Sequence, residues 1–200
     1  MVIIGASGHA KVVLDLTKLN NIKVTSLFDD DATIQRLNEL VVYSPIADVP
    51  IGTAVVFAIG NNMVRKQLAD KYESLETIKL AHPKSVIDAS VHIGEGSVVM
   101  ASATINSATT IGKHCIINTS SSVDHDCELD DFVHISPGAV LCGSVKVGTG
   151  SHIGANAVVI QNIRIGKWVT IGAGSVILKD IPDYAVVVGN PGKIIKYNEK

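Results

Sequence analysis

The chain has 200 residues, 46% of them hydrophobic, and a formal net charge of −2, so it can bury a real core as one large domain or two small ones and is not a disordered segment. With no run of like charge longer than Asp29–Asp31, it has no electrostatic footprint for nucleic acid or an anionic membrane, and its partners are expected to be small molecules. No apolar stretch approaches the roughly 20 residues of a membrane span, the start MVIIGASGHAK has no charged leader, and three cysteines without metal spacing fit a reducing compartment, so a cytoplasmic protein is expected.

Residues 1–82 alternate strands and helices. The apolar run Val2–Ile4 ends at Gly5-Ala-Ser-Gly8-His9, and Val13, Leu16 and Leu19 are spaced for a helix from about Ala10 to Leu19. A second strand, Val24 to Phe28, ends at Asp29-Asp30-Asp31. A third, Val55 to Ile59, ends at Gly60-Asn61-Asn62 and leads into a helix over roughly Val64 to Tyr72. Each strand ends in a glycine or acidic turn, as in a small Rossmann-like βαβαβ sheet that binds a ligand at its C-terminal edge. Gly5-x-x-Gly8 is not the full dinucleotide fingerprint. Free amides at the following helix start could still hold a diphosphate, and Asp29 is placed like a ribose-binding carboxylate.

Residues 83–200 carry a period of six. Ile87, Ile93, Val99, Ile105, Ile111, Ile117, Val123, Leu129, Ile135, Leu141, Val147, Ile153, Val159, Ile165, Ile171 and Ile177 follow one another without a break. The position four after each anchor is small or β-branched, as at Ser97, Ala103, Cys115, Cys127, Ala139, Ser151, Ala157 and Ser175. Six is even, so strand alternation keeps both positions on one side, facing inward. Three hexads make a triangular coil, and roughly five such coils stack about 4.8 Å apart as parallel strands. Cys115 and Cys127 occupy the small inward slot and are packing residues. Trp168, after Gly166-Lys167, is an outward residue of the surface or an interface.

This hexapeptide pattern resembles the left-handed β-helix acyltransferases. The left hand is implied by the resemblance alone, because general rules for parallel crossovers favour the right. Acyl transfer to an amine needs a base to take its proton, and neutral histidine suits that task. His125 lies two after the anchor Val123. Simple parity would bury it, but that position is where a hexad turns its corner and can escape alternation. Asp124 and Asp126 flank it, and either could orient the ring. Gly143, one coil on from His125, is expected to leave open space beside the imidazole for a substrate. His134 and His152 are stacked on adjacent coils of one face.

The segment Asn118-Thr-Ser-Ser-Ser-Val-Asp-His125-Asp126, together with GASGH, the acidic pair after strand two, AIGNN, His134-x-x-Pro-Gly and the closing V-G-N-P-x-K, is similar to the PglD/NeuD family of sugar acetyltransferases. The resemblance implies that His125 is the general base and Asp126 its partner, at a position where the family carries Glu or Asp and its best-matching member a glutamate one methylene longer. It implies that Ser7, Gly8, His9, Asp29, Asp30 and Gly60 hold a UDP-sugar. His134, Ala155 and Ala173 would line the acetyl-CoA channel beside Gly143. The loop ending at Lys193 would reach the coenzyme, and the active sites would lie between the subunits of a homotrimer. The implied reaction moves acetyl from acetyl-CoA to the 4-amino group of a UDP-linked 4-amino-4,6-dideoxy-N-acetylhexosamine. The alternative is O- or N-acetylation of another carbohydrate, such as sialic acid or a GDP-linked amino sugar. No metal is expected: a carbonic anhydrase on the same prism needs three converging histidines, and the spacings of His125, His134 and His152 do not supply them.

Overall fold

The computed structural model describes residues 1–198. Its first unit runs β1 (Val2–Ile4), α1 (Gly8–Leu19), β2 (Ser26–Phe28), β3 (Arg36–Leu37), β4 (Leu40–Tyr43), β5 (Ala54–Phe57), α2 (Asn62–Lys71) and β6 (Glu76–Thr77). The sheet order is β3-β4-β2-β1-β5-β6, with β1 parallel to both β2 and β5. Central parallel strands are covered on both faces, and Val2, Ile3 and Ile4 are accordingly all buried. The two expected helices begin two residues earlier than the apolar spacing indicates. For α2 the reason is local, since the Asn61 side chain caps the helix by accepting from Val64 N at 3.1 Å. The hairpin of β3 and β4 was not anticipated from the pattern of apolar residues. It turns through Asn38, whose φ of 52° lies in the left-handed region that asparagine tolerates.

The second unit is the left-handed β-helix, and every anchor from Ile87 to Ile177 is the second residue of a two-residue strand. Register follows the triple hexad, so that Ile117 pairs with Val99 on one side and Ile135 on the other. The turns explain the period. The residue three after an anchor takes a left-handed φ, as at Ser102, His114, Asp126, Ser144 and Trp168, which lets the chain bend sharply and start the next face. Three flat faces result. The first carries Leu80–Ala81, Val98–Val99, Ile116–Ile117, His134–Ile135, His152–Ile153 and Thr170–Ile171. The second runs from Val86–Ile87 to Val176–Ile177 and the third from His92–Ile93 to Arg164–Ile165.

The interior is apolar except where a hydroxyl replaces a methyl and bridges coils. Ser97, Thr109 and Ser151 are fully buried. Each donates to a carbonyl 15 residues on and accepts from an amide 18 residues on, which satisfies the polar atom it buries. After Ile177 the hexad ends. Ala185–Val188 still pairs with Thr170–Ile171, and Lys193–Tyr197 returns antiparallel along it, with the Gly189–Gly192 loop between.

The first unit sits on the first face. Ala10, Val13, Leu14 and Leu16 of α1 share a buried cluster with Leu80, Val98, Met100 and Ile116 of the prism. Burying each large aliphatic side chain is worth about 1.5–3 kcal/mol. Arg65 completes the junction. The side chain is 1% exposed, and it donates to Ile59 O and Gly60 O in its own unit and to His114 O and Phe132 O on two coils of the prism.

Candidate active site

Three edges separate the three faces, and the chemistry-bearing residues divide among them. His125 and Asp126 form the corner between the second and third faces. Asp126 has φ 57°, and its amide donates to Ser107 O on the coil before. The Asp124 carboxylate accepts from His125 N at 2.9 Å and from Asn106 Nδ2 at 2.7 Å, and Thr109 Oγ1 donates to Asp124 O. The corner is therefore braced on three sides, and both residues of the turn leave the inward–outward alternation. The His125 side chain is 55% exposed.

His125 Nδ1 meets Asp126 Oδ2 at 2.7 Å, so the shorter carboxylate still reaches the ring. Asp124 serves the backbone instead. The hydrogen bond to Asp126, with the nearby Asp124 charge, raises the His125 pKa above its ordinary value. Nε2 is left as the nitrogen that can take a proton. The expectation of open space at Gly143 is corrected: a Cβ at that position would lie 2.6 Å from His125 Cε1 and 2.7 Å from Nε2. The imidazole itself fills what the glycine leaves.

His134 lies on the first face and is buried. Thr119 N donates to Asn118 Oδ1, so the Asn118 amide nitrogen must face His134 Nε2, at 3.1 Å. That makes Nε2 the acceptor and puts the His134 proton on Nδ1, which is buried without a protein partner. Burial first, then the charges of His152, Arg65 and His9, pushes its pKa down to about 3, and the backbone of Gly60 lies against it. The His134 and His152 rings stack at 4.7 Å and 3° as their spacing implies, and His152 Nε2 meets Ser136 Oγ at 2.6 Å. Ala155 and Ala173 fall on the edge between the first and second faces, one coil apart, with Gly174 N donating to Ala155 O.

The remaining expected residues gather at the C-terminal edge of the sheet. Gly5 has φ 104°, and a Cβ there would meet Ile59 Cδ1 at 2.6 Å and Ala58 O at 2.9 Å, so only glycine lets the β1 loop turn against β5. Ser7 and Gly8 open α1, whose first turn has neither a capping side chain nor an acidic residue. Such a start offers free amides to an anion. His9 Nε2 is buried without a protein partner, and burial followed by the Arg65 charge lowers its pKa to about 4. The Asp29 carboxylate accepts from Ala6 N and Asp31 N, one amide on each oxygen, which fixes its orientation and leaves further acceptor sites. The Asp30 carboxylate accepts from Ile46 N and caps the 3-10 turn Ile46–Asp48.

Gly60 also opens a cleft of about 740 Å³ between α2 and the prism. The sequence carries no signal for the cleft, and for Arg65 only an arginine four residues after the Gly60-Asn61 turn. Cys115 and Cys127 are inert: burial pushes their thiols up to about 12 and about 11. Among the described residues no helix is long and apolar enough to cross a membrane, and no cluster of side chains could hold a metal.

Residues 1–72 match the PglD N-terminal domain family, and residues 126–161 and 144–179 match the bacterial transferase hexapeptide (six repeats) family. A histidine-to-asparagine mutant of perosamine N-acetyltransferase from Caulobacter crescentus, solved with CoA and GDP-perosamine, is 36% identical, with a TM-score of 0.91 over 98% of this chain and 96% of that one. The acetyltransferase domain of PglB from Neisseria gonorrhoeae FA1090 is 38% identical, with a TM-score of 0.91 over 97% and 98% of the two chains. UDP-N-acetylbacillosamine N-acetyltransferase of Bacillus subtilis (strain 168) is 38% identical over 108 residues, 50% of each protein. The chain thus spans about half the length of the curated relatives it matches and nearly all of the solved structures. The chain belongs to the PglD/NeuD family of hexapeptide-repeat sugar acetyltransferases.

Proposed function

We propose that this protein transfers acetyl from acetyl-CoA to the amino group of a nucleotide-linked amino sugar, with His125 as general base. The observation that carries the reading is the His125–Asp126 pair at 2.7 Å on a braced, exposed corner. Nε2 of His125 takes a proton from the sugar amine as its nitrogen attacks the thioester carbonyl. The C–S bond breaks, and the proton returns to the departing thiolate. Asp126 stabilises the imidazolium formed between the two steps.

The acceptor would lie in the crevice at the C-terminal edge of the sheet, its diphosphate at the open start of α1 near Ser7, Gly8 and His9. Uncharged His9 and His134 can each meet a polar ligand atom there without carrying charge. The sequence points to a UDP-linked 4-amino sugar. Relatives on GDP and on UDP match this chain about equally, so a GDP-linked amino sugar is supported as well. Incubation with acetyl-CoA and a panel of UDP- and GDP-linked amino sugars, followed by release of free CoA thiol, tests the assignment. Turnover with none of them contradicts it.

Assembly bears on the site. In one chain His125 sits on the edge between the second and third faces, whereas the crevice and His134 belong to the first face. A second copy is needed to bring a base to the crevice. The second face suits such packing, since its outward column is Val86, Thr104, Ser122, Val140, Val158 and Val176. The third face presents His92, Glu128, Lys146 and Arg164 instead, with a Glu128–Lys146 ion pair. A flat, uncharged, β-branched face is the one that loses least on leaving water, which supports a trimer with sites between subunits. The channel along Ala155, Ala173 and the loop at Lys193 is the place proposed for the coenzyme.

A further inference from the structure

Trp168 is the one tryptophan of the chain, and its setting is unusual. The edge between the third and first faces carries a column of residues at the same turn position: Gly96, His114, Phe132, Gly150 and Trp168. His114 lies over Gly96 and stacks on Phe132 at 5.1 Å, and α2 covers that part of the edge through Arg65 and Lys66. Trp168 lies over Gly150 in the same manner, where a Cβ would come within 2.4 Å of the indole. Trp168 is half-buried and shares its cleft with α2. One side of the indole rests on a glycine backbone, and the ring lines the 740 Å³ cleft.

The φ of 54° at Trp168 is the one this turn position takes throughout the prism, so the character of the cleft comes from its lining. The walls are fixed: Asn62 donates to Gly150 O at 3.0 Å and Ser151 O at 3.2 Å, and Asn198 donates to Trp168 O at 3.2 Å. α2 lines the cleft with the carboxamides of Asn61 and Gln67 and with the Lys66–Asp70 ion pair, and the prism adds Thr170 and His152. An aromatic ring in a cleft that also carries carboxamides and an ion pair matches a nucleobase, which has a π-face to stack and a polar edge to bond. The cleft also opens at Gly60, beside the crevice proposed for the nucleotide sugar.

We infer that this cleft is a nucleobase pocket with Trp168 as its stacking platform. The inference rests on the proposed function, which supplies two molecules with such a base, the nucleotide of the acceptor and the adenine of CoA. Because the chain has a single tryptophan, its intrinsic fluorescence reports the pocket directly. Titrating the unmodified protein separately with GDP, UDP and CoA should give saturable quenching by at least one of them, and which one responds identifies the source. Calorimetry with Trp168→Ala should then show that same ligand bound about tenfold or more weakly, while the other co-substrate keeps its affinity within twofold. Nucleotide and CoA binding by calorimetry with unchanged fluorescence, or with affinity unaffected by Trp168→Ala, overturns the pocket while leaving the proposed function standing. No binding of any of the three overturns both.

Discussion

The His125 imidazole lies directly over Gly143 of the next coil, so close that a methyl group on residue 143 would fall 2.6 Å from the ring. Gly143 has no left-handed backbone requirement, and the atoms it would strike belong to the end of an exposed side chain. Gly143→Ala should therefore leave the melting temperature almost unchanged while swinging the ring away from Asp126. A misplaced base costs on the order of 10²-fold in rate. Parallel melting curves and kcat measurements check this, and loss of stability with retained activity would contradict it.

Asp126 stabilises the protonated ring and holds the His125 pKa above its ordinary value. A base must be neutral to act, so the acid limb of the pH–rate profile should lie above the ordinary histidine pKa. Asp126→Asn removes the carboxylate, and the limb should move to lower pH, with a reduced plateau from the weaker, less oriented base. A profile that does not move would mean that the 2.7 Å contact has no electrostatic role.

Arg65 binds four main-chain carbonyls and Asn62 Oδ1 from a site that is 1% exposed. Burial lowers its pKa to about 10, which still leaves it charged at neutral pH. Arg65→Met keeps most of the volume but strands those acceptors, and should cost ~3 kcal/mol or more. Chemical denaturation gives the figure. Hydrogen exchange should show the loss at both sides of the junction, around Ile59–Gly60 and around His114 and Phe132.

His9, His114 and His134 are held uncharged, with pKa values lowered to about 4, about 4 and about 3 from 6.5, in each case chiefly by burial. Between pH 6.5 and about 4 the unfolded chain binds more protons than the folded one. Stability is therefore full above 6.5 and falls as the pH drops through that window, each unit of depression being worth about 1.4 kcal/mol. His114→Phe preserves the stack on Phe132 and removes one of the three groups. Its melting temperature should fall less than that of the wild type between about pH 7 and pH 4.5, and parallel curves would contradict the assignment.

Val158 projects from the second face proposed to pack between subunits. Val158→Glu would bury an unpaired carboxylate in each proposed subunit interface, and sedimentation should show the trimer shifted to monomer. A monomeric wild type would remove the premise.

The prism was legible because its signal repeats. One large and one small inward residue per hexad fixes register, face and edge from arithmetic alone, which is why His134 and His152 stack where their spacing puts them. The corner at His125 was legible only in part. Parity assigns it inward, and the left-handed φ of Asp126 is what turns it out. Gly143 was correctly paired with His125, but a glycine in sequence does not say whether ring or ligand fills the gap. Arg65 carries no such signal, since its partners are main-chain carbonyls, which leave no mark on residue type. Asp29 and Asp30 also accept from the amides of Ala6 and Ile46, contacts that depend on how separate loops meet and that residue type does not reveal.

The most direct test of acetyl transfer through His125 is the rate of CoA thiol release with a nucleotide-linked amino sugar, compared between the wild type and His125→Ala at equal acetyl-CoA affinity. The expected result is sugar-dependent release by the wild type and a loss of roughly 10²- to 10⁴-fold in the variant. Undiminished release by His125→Ala, or no sugar-dependent release by the wild type, would contradict it.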